Sequence, residues 1–157
     1  MEPVDAARFV IQLHDATTLH YDLRIQRGDV MRSWAVPKGP SLDPADRRLA
    51  VQVGDHDLYS DFEGVYEESR GTGAVIVWDE GTVDVVTDEP DHVSFVLDGE
   101  KLAGRFGLTR IDGRNWLLVK ANDASARRGF DVVAAEPASV RSGRTWREVA
   151  ATSANAQ

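Results

Sequence analysis

The chain has 157 residues, 42% of them hydrophobic, with 26 acidic against 18 basic side chains and a net charge of −8. That length can bury one core without staples, and with no cysteine present, disulfide frameworks, thiolate metal sites and cysteine nucleophiles are excluded. The acidic balance excludes coating of nucleic acid by bulk counterion release, and nothing in the chain resembles a secretory leader or a membrane-spanning apolar run, so a cytoplasmic location is expected.

Short strands bounded by Gly, Pro, Asp and Asn turns run through most of the chain. In Phe9–Leu13, Phe9, Ile11 and Leu13 alternate with Val10, Gln12 and the following His14. A turn-like Asp15-Ala16-Thr17-Thr18 leads to His20 and the strand Tyr21–Gln26, where His20, Asp22 and Arg24 share one face and Tyr21, Leu23 and Ile25 the other. Val30–Val36 follows a hairpin-type Arg27-Gly28-Asp29, and the Pro37–Pro44 segment then interrupts any sheet and should rim something. Further strands are expected at Leu49–Val53, Ala74–Asp79, Thr82–Val86, Val93–Leu97, Gly104–Arg110 and Trp116–Lys120. Asp79-Glu80-Gly81 and Asp112–Asn115 read as hairpin links. The prediction is all-β: a compact antiparallel barrel or sandwich of eight to nine short strands over residues 1–131, with few short helices. Residues 132–157 read as a polar tail with one short helix beginning within Ser142–Glu148, and the last eight residues as disordered.

The opening hairpin carries the chemistry. Two imidazoles and a carboxylate, His14, His20 and Asp22, suit a borderline divalent ion such as Mn²⁺, Zn²⁺, Fe²⁺ or Co²⁺. Arg24 on the same face suits bidentate grip of a phosphate oxygen. A second candidate stretch is Val53–Gly64, where His56 and Tyr59 lie three apart among acids. Trp34, Trp78 and Trp116 sit in strand-like runs and read as core, and His92 reads as a turn residue. Trp146, between Arg144 and Arg147, either docks on the barrel or meets a partner, and Gly71-Thr72-Gly73 is too short for a phosphate loop.

Four separated runs, FVIQLHDATTLHYDLRI, SWAVPKGPSLDPADRRLAVQV, DH-x-L-Y-x-DFEG and GTGAVIVWDEGT, closely resemble the 3′-phosphoesterase domain of bacterial DNA ligase D, the multifunctional enzyme of non-homologous end joining. The likeness runs from about Arg8 to Lys120, and Ser142–Thr145 resembles the segment that follows this domain in the full-length ligase, so the chain looks like a stand-alone member. The resemblance implies a compact β-barrel that heals DNA or DNA/RNA primer-template 3′ ends, removing 3′-phosphate, and secondarily a 3′-ribonucleoside, to leave a 3′-OH. It implies Mn²⁺, with Zn²⁺ and Co²⁺ as alternatives, on His14, His20 and Asp22. It places Arg24 and His56 on the phosphate with Tyr59 nearby, Gln12 and Ser33 in support, and Lys38 and Arg48 as further basic residues tied to activity. A separate end-joining ligase or polymerase is the implied partner.

Three departures from the family pattern stand out. Only Glu2, Asp5 and Arg8 offer charge ahead of the first strand; Gly54 replaces a common Glu, with the Asp57–Tyr59 stretch one residue shorter; and Val65-Tyr66-Glu67-Glu68-Ser69-Arg70 replaces a Pro-Glu-Gly-type run. These departures and the acidic surface keep two other readings in play: a non-catalytic barrel binding DNA ends or an end-joining partner, and a hydrolase of small phosphate esters.

Overall fold

Phe9, Ile11 and Leu13 lie on one side of β1 (Arg8–Asp15), and Tyr21, Leu23 and Ile25 on the same side of β2 (Leu19–Arg27); all six are at most 6% exposed. The two strands pair antiparallel with Phe9 opposite Ile25 and His14 opposite His20, the register the alternation requires. The computed structural model describes residues 6–59, 61–67 and 69–155; Glu2, Asp5, Ser60, Glu68 and residues 156–157 lie outside these.

After β1 and β2 come β3 (Val30–Val36), β4 (Arg48–Asp57), a two-residue β5 (Gly64–Val65), β6 (Ala74–Glu89), β7 (His92–Gly99), β8 (Ala103–Asp112) and β9 (Asn115–Lys120). Two helices follow, α1 (Val132–Ala135) and α2 (Trp146–Asn155). The strand order β1-β2-β3-β4-β9-β8-β7-β6 closes through pairing of β1 with β6, giving an eight-stranded antiparallel barrel, with β5 added on β6. This is the expected all-β barrel. Gly28, at φ 64°, and Gly113, at φ 46°, form the anticipated two-residue hairpins, because that left-handed backbone matches the twist of the flanking strands.

Trp34, Trp78 and Trp116 are at most 1% exposed, as expected, and fill the barrel with Phe95 and Phe106. A void left among them, lined by side chains such as Ile11, Leu23 and Phe106, is about 10 Å³. An eight-stranded barrel filled by side chains leaves no room inside for substrate, so chemistry belongs on the outer face.

One expected link is wrong. Asp79-Glu80-Gly81 is not a hairpin; Ala74–Asp79 and Thr82–Val86 are two halves of the continuous 16-residue β6. Pairing with β1 slips there, Ile11 facing Asp79 and Gln12 facing Val77, so Trp78 is an extra, bulged residue and the strand bends. Gly81 serves close strand approach, since a Cβ there would lie 2.0 Å from the Asp98 carbonyl oxygen. Asp79 turns inward, where its carboxylate accepts the backbone N–H groups of Glu100, Lys101 and Leu102 at 2.9, 3.2 and 2.9 Å.

The tail is more ordered than the sequence suggests. Asp131 caps α1 by accepting the N–H of Ala134, and Thr145 and Glu148 exchange hydrogen bonds at the start of α2. Val132 and Val149 join the main core, and Trp146 and Ala150 pack against it. Trp146 therefore docks on the barrel. With that apolar face anchored, α2 runs to Asn155, so six of the eight residues expected to be disordered, 150–155, are helical.

Candidate metal centre and phosphate site

The face of β1 and β2 that points away from the core carries three cross-strand pairs: His14 with His20, Gln12 with Asp22, and Val10 with Arg24. Directly opposed residues of an antiparallel pair hold their Cβ atoms about 5 Å apart, so one hairpin assembles the set. One donor atom from each of His14, His20 and Asp22 lies within 4.8 Å of the others. The rings of His14 and His20 are 5.4 Å apart, and His20 Nε2 is 3.2 Å from Asp22 Oδ1.

The surroundings fit a divalent cation. His20 Nδ1–H donates to the Thr18 carbonyl at 3.0 Å, which fixes the tautomer and leaves Nε2 for a ligand. At His14 the Ser69 hydroxyl lies 3.1 Å from Nε2 and donates its own proton to the Arg70 carbonyl, so Nε2–H donates and Nδ1 keeps its lone pair. Gln12 is 1% exposed, and its Oε1, in register with Asp22, accepts no hydrogen bond among the described residues. A hydrated cation held by Asp22 would supply a donor for this buried oxygen.

In the metal-free protein the hydrogen bond to Asp22 holds a proton on His20 and raises its pKa above the ordinary 6.5, while burial, and then the neighbouring His20, lower that of His14. A raised folded value means that the His20–Asp22 pair stabilises the metal-free fold fully below pH 6.5 and that this contribution fades as pH climbs through the raised value. Metal affinity runs the other way, because ligation needs both rings neutral. Calorimetric titration with Mn²⁺ is expected to show affinity rising from about pH 6 to about pH 8 with proton release; an affinity flat across that window counts against these ligands.

Arg24 continues the line from Asp22 and is 8% exposed. Ser33, opposite Arg24 on β3, donates its hydroxyl proton to the Met31 carbonyl and accepts Nδ1–H of His56 at 2.8 Å. His56 is thereby held with Nε2 available, and its pKa is lowered by burial and then by Arg24.

The described residues between Leu58 and Gly73 lie over this face and are pinned at several points. Gln12 Nε2 donates to the Phe62 carbonyl at 2.7 Å, and Arg8 donates to the Leu58 carbonyl and to Asp61. Burial opposes ionisation of Asp61, but hydrogen bonds from Arg141 and Arg8 win and hold its pKa at about 2. Glu63 accepts the Val77 N–H and the Ser139 hydroxyl, so the C-terminal segment clamps the same loop. Thr72 donates through N–H and hydroxyl to Asp15, and Gly73 N–H donates to the Asp15 carbonyl. Gly71, at φ 65°, has no room for a Cβ, which would sit 2.2 Å from the Ala16 carbonyl oxygen. Gly71-Thr72-Gly73 is thus a bracket holding the loop to the β1–β2 hairpin.

Among the other residues singled out, Tyr59 is 82% exposed, Lys38 is exposed just past β3, and Arg48 opens β4 with Nη2 3.6 Å from Asp46. His92 bonds Thr109 on the β7–β8 ladder, outside this cluster. Gly54 has open space around it, with nothing within 4 Å of a built Cβ. Sequence reasoning missed Tyr66 and Ser69. The ring of Tyr66 is 5.8 Å from that of His14, and the available signal was an aromatic residue in the run that departs from the family pattern.

Comparison with known proteins bears directly on this arrangement. Residues 12–110 match the family described as the DNA Ligase D 3′-phosphoesterase domain. A multifunctional non-homologous end joining protein LigD of Pseudomonas aeruginosa is 51% identical over 151 residues, covering 88% of this chain and 18% of that protein. LigD proteins of Mycobacterium tuberculosis and Mycolicibacterium smegmatis are 38% and 37% identical, covering 81% and 79% of this chain and 18% of each protein. The chain thus spans about a fifth of the length of these relatives.

Proposed function

The chain belongs to the DNA ligase D 3′-phosphoesterase domain family, and on that premise we propose that it is a metal-dependent 3′-end-healing phosphoesterase of bacterial non-homologous end joining. It removes 3′-phosphate, and secondarily a 3′-ribonucleoside, from DNA or DNA/RNA primer-template ends to leave a 3′-OH. It works in the cytoplasm, beside a separate end-joining ligase or polymerase. The observation that carries this reading is the unbroken row His14, His20, Asp22 and Arg24 on one solvent-facing barrel surface, three cation ligands followed at once by a phosphate clamp.

His14, His20 and Asp22 would hold the ion, Mn²⁺ first and Zn²⁺ or Co²⁺ as alternatives, and when bound it supplies Lewis acidity toward a phosphate oxygen. Arg24 neutralises the remaining phosphate charge, with its side chain largely buried, at 8% exposure, and therefore effective. A water attacks phosphorus in line with the leaving O3′; the P–O3′ bond breaks, O3′ takes a proton, and inorganic phosphate leaves. His56 is suited to give that proton from Nε2, because Ser33 fixes the opposite nitrogen and the incoming phosphate dianion offsets the influence of Arg24. Gln12 holds the covering loop through Phe62, Ser33 orients His56, Tyr59 assists near the phosphate, and Lys38 and Arg48 are further basic residues tied to the activity.

Paired primer-templates test the reading, one ending in 3′-phosphate and one in a single ribonucleotide, each with and without Mn²⁺. Conversion of the phosphate end to 3′-OH only with the metal, with slower removal of the ribonucleoside, is expected. Tight end binding with no metal-dependent turnover would select the non-catalytic module, and equal turnover of nucleoside monophosphates would select the small-ester hydrolase.

A further inference from the structure

Phe62 and Tyr66 are each 43% exposed, on a loop otherwise rich in acids. Their rings lie 4.7 Å apart at 44°, and Tyr66 stands edge-on to the ring of His14 at 5.8 Å. The pair therefore borders the candidate cation ligands, and the Gln12 that holds the Phe62 carbonyl is paired with Asp22, two positions before Arg24.

Its placement is built rather than incidental. The Phe62 ring lies over Gly64, where a Cβ would meet Cζ at 2.6 Å, so only a residue without a side chain lets the ring settle there. The Phe62 carbonyl is held by Gln12 at 2.7 Å. Tyr66 N–H donates to the Gly73 carbonyl at 2.9 Å, and the Tyr66 carbonyl accepts from Ser69. Asp61 and Glu63, on either side of Phe62, are tied to Arg141 and Ser139.

An acidic chain gains little from bulk phosphate-backbone attraction, so grip on a nucleic-acid end beyond the few local cations falls to uncharged contacts near the reacting phosphate. Aromatic faces supply that grip, since every base has a π-face. We propose that Phe62 and Tyr66 form a stacking platform for the base of the terminal nucleotide whose 3′-phosphate lies at Arg24. The proposal rests on the end-healing reading above and adds the subsite that recognises the nucleoside. Because stacking tolerates any base, the platform accepts all four ends and fails only for an end that lacks a base.

The test uses the Mn²⁺-loaded full chain and a primer-template whose 3′-phosphorylated terminal nucleotide carries 2-aminopurine or an abasic sugar. Stopped-flow quenching of 2-aminopurine on binding, read before turnover, is expected for the wild type and should be lost in Tyr66→Ala. In steady state, Tyr66→Ala should raise KM for the base-bearing end about 10-fold with kcat within about 2-fold, while leaving KM for the abasic end unchanged. Tyr66→Trp should restore both signals. Phe62→Leu provides a second variant should Tyr66→Ala melt early. Absence of quenching in the wild type, or equal KM for the base-bearing end in wild type and both variants, overturns the platform. Absence of metal-dependent turnover alongside normal quenching overturns the end-healing reading and leaves the platform standing.

Discussion

Asp22→Ala is expected to cut metal-dependent release of 3′-phosphate by about a thousand-fold, roughly 4 kcal/mol of transition-state stabilisation, with His20→Ala close behind. Either change removes one of three donor groups whose atoms lie within 4.8 Å of one another, and the remaining pair cannot define the cation's position. Asp22 also holds the proton on His20, so its loss returns that ring toward its ordinary pKa without restoring a ligand. The fold should tolerate both changes. The two side chains are partly exposed, at 19% and 13%, and they face away from the barrel core, so the melting temperature should move by no more than about 3 °C. Parallel assays of phosphate release and thermal unfolding decide the matter: turnover within fivefold of wild type in a folded variant would remove these residues from the site.

Asp79→Ala should have the largest effect on stability, about 3–5 kcal/mol, or a fall of about 10 °C in melting temperature. The carboxylate is 0% exposed, and burial raises its pKa even though it accepts backbone N–H groups from Glu100, Lys101 and Leu102. Alanine removes all of those acceptors at once, leaving the β7–β8 turn with buried donors and loosening it from the β6 bend. Asp79→Asn keeps one oxygen but sets an amide N–H₂ where the second stood, so a loss of about 1–2 kcal/mol is expected. Denaturant unfolding checks both; a drop below about 1 kcal/mol for the alanine variant would mean that the turn holds without the carboxylate. Phosphate release at temperatures well below the transition should persist, because Asp79 points into the barrel while the row from His14 to Arg24 points out.

The same residue shows where local reading fails. Asp-Glu-Gly has hairpin chemistry, and sequence rules treat glycine after an acid as a turn. Here the glycine answers a different demand, the 2.0 Å approach of the Asp98 carbonyl to where its Cβ would be, and the aspartate answers to N–H groups more than 20 positions along the chain. Neither demand has a local signature. By contrast, Arg27-Gly28-Asp29 and Asp112–Asn115 were legible because their turns depend only on the φ of their own glycines.

The hairpin that carries His14, His20 and Asp22 was legible for a related reason. Period-two alternation dictates that His20, Asp22 and Arg24 share a face, and a three-residue connection dictates which residues of β1 they meet, so side-chain order along the chain becomes position in space. The family likeness was readable from contiguous words of sequence and needed no contact map. Tertiary structure decided the rest. Closure of β1 onto β6 filled the interior and left only the outer face for chemistry. Packing of Phe62, Tyr66 and Ser69 over that face brought Ser69 to His14 and set the two rings beside the row. Arg141 and Ser139, which alternation alone would place in a polar tail, became the clamps on that loop. Contacts across tens of residues depend on the summed packing of the whole barrel, whereas strand faces and tight turns depend on neighbours in the chain, and that difference separates what this sequence determined alone from what only its fold could settle.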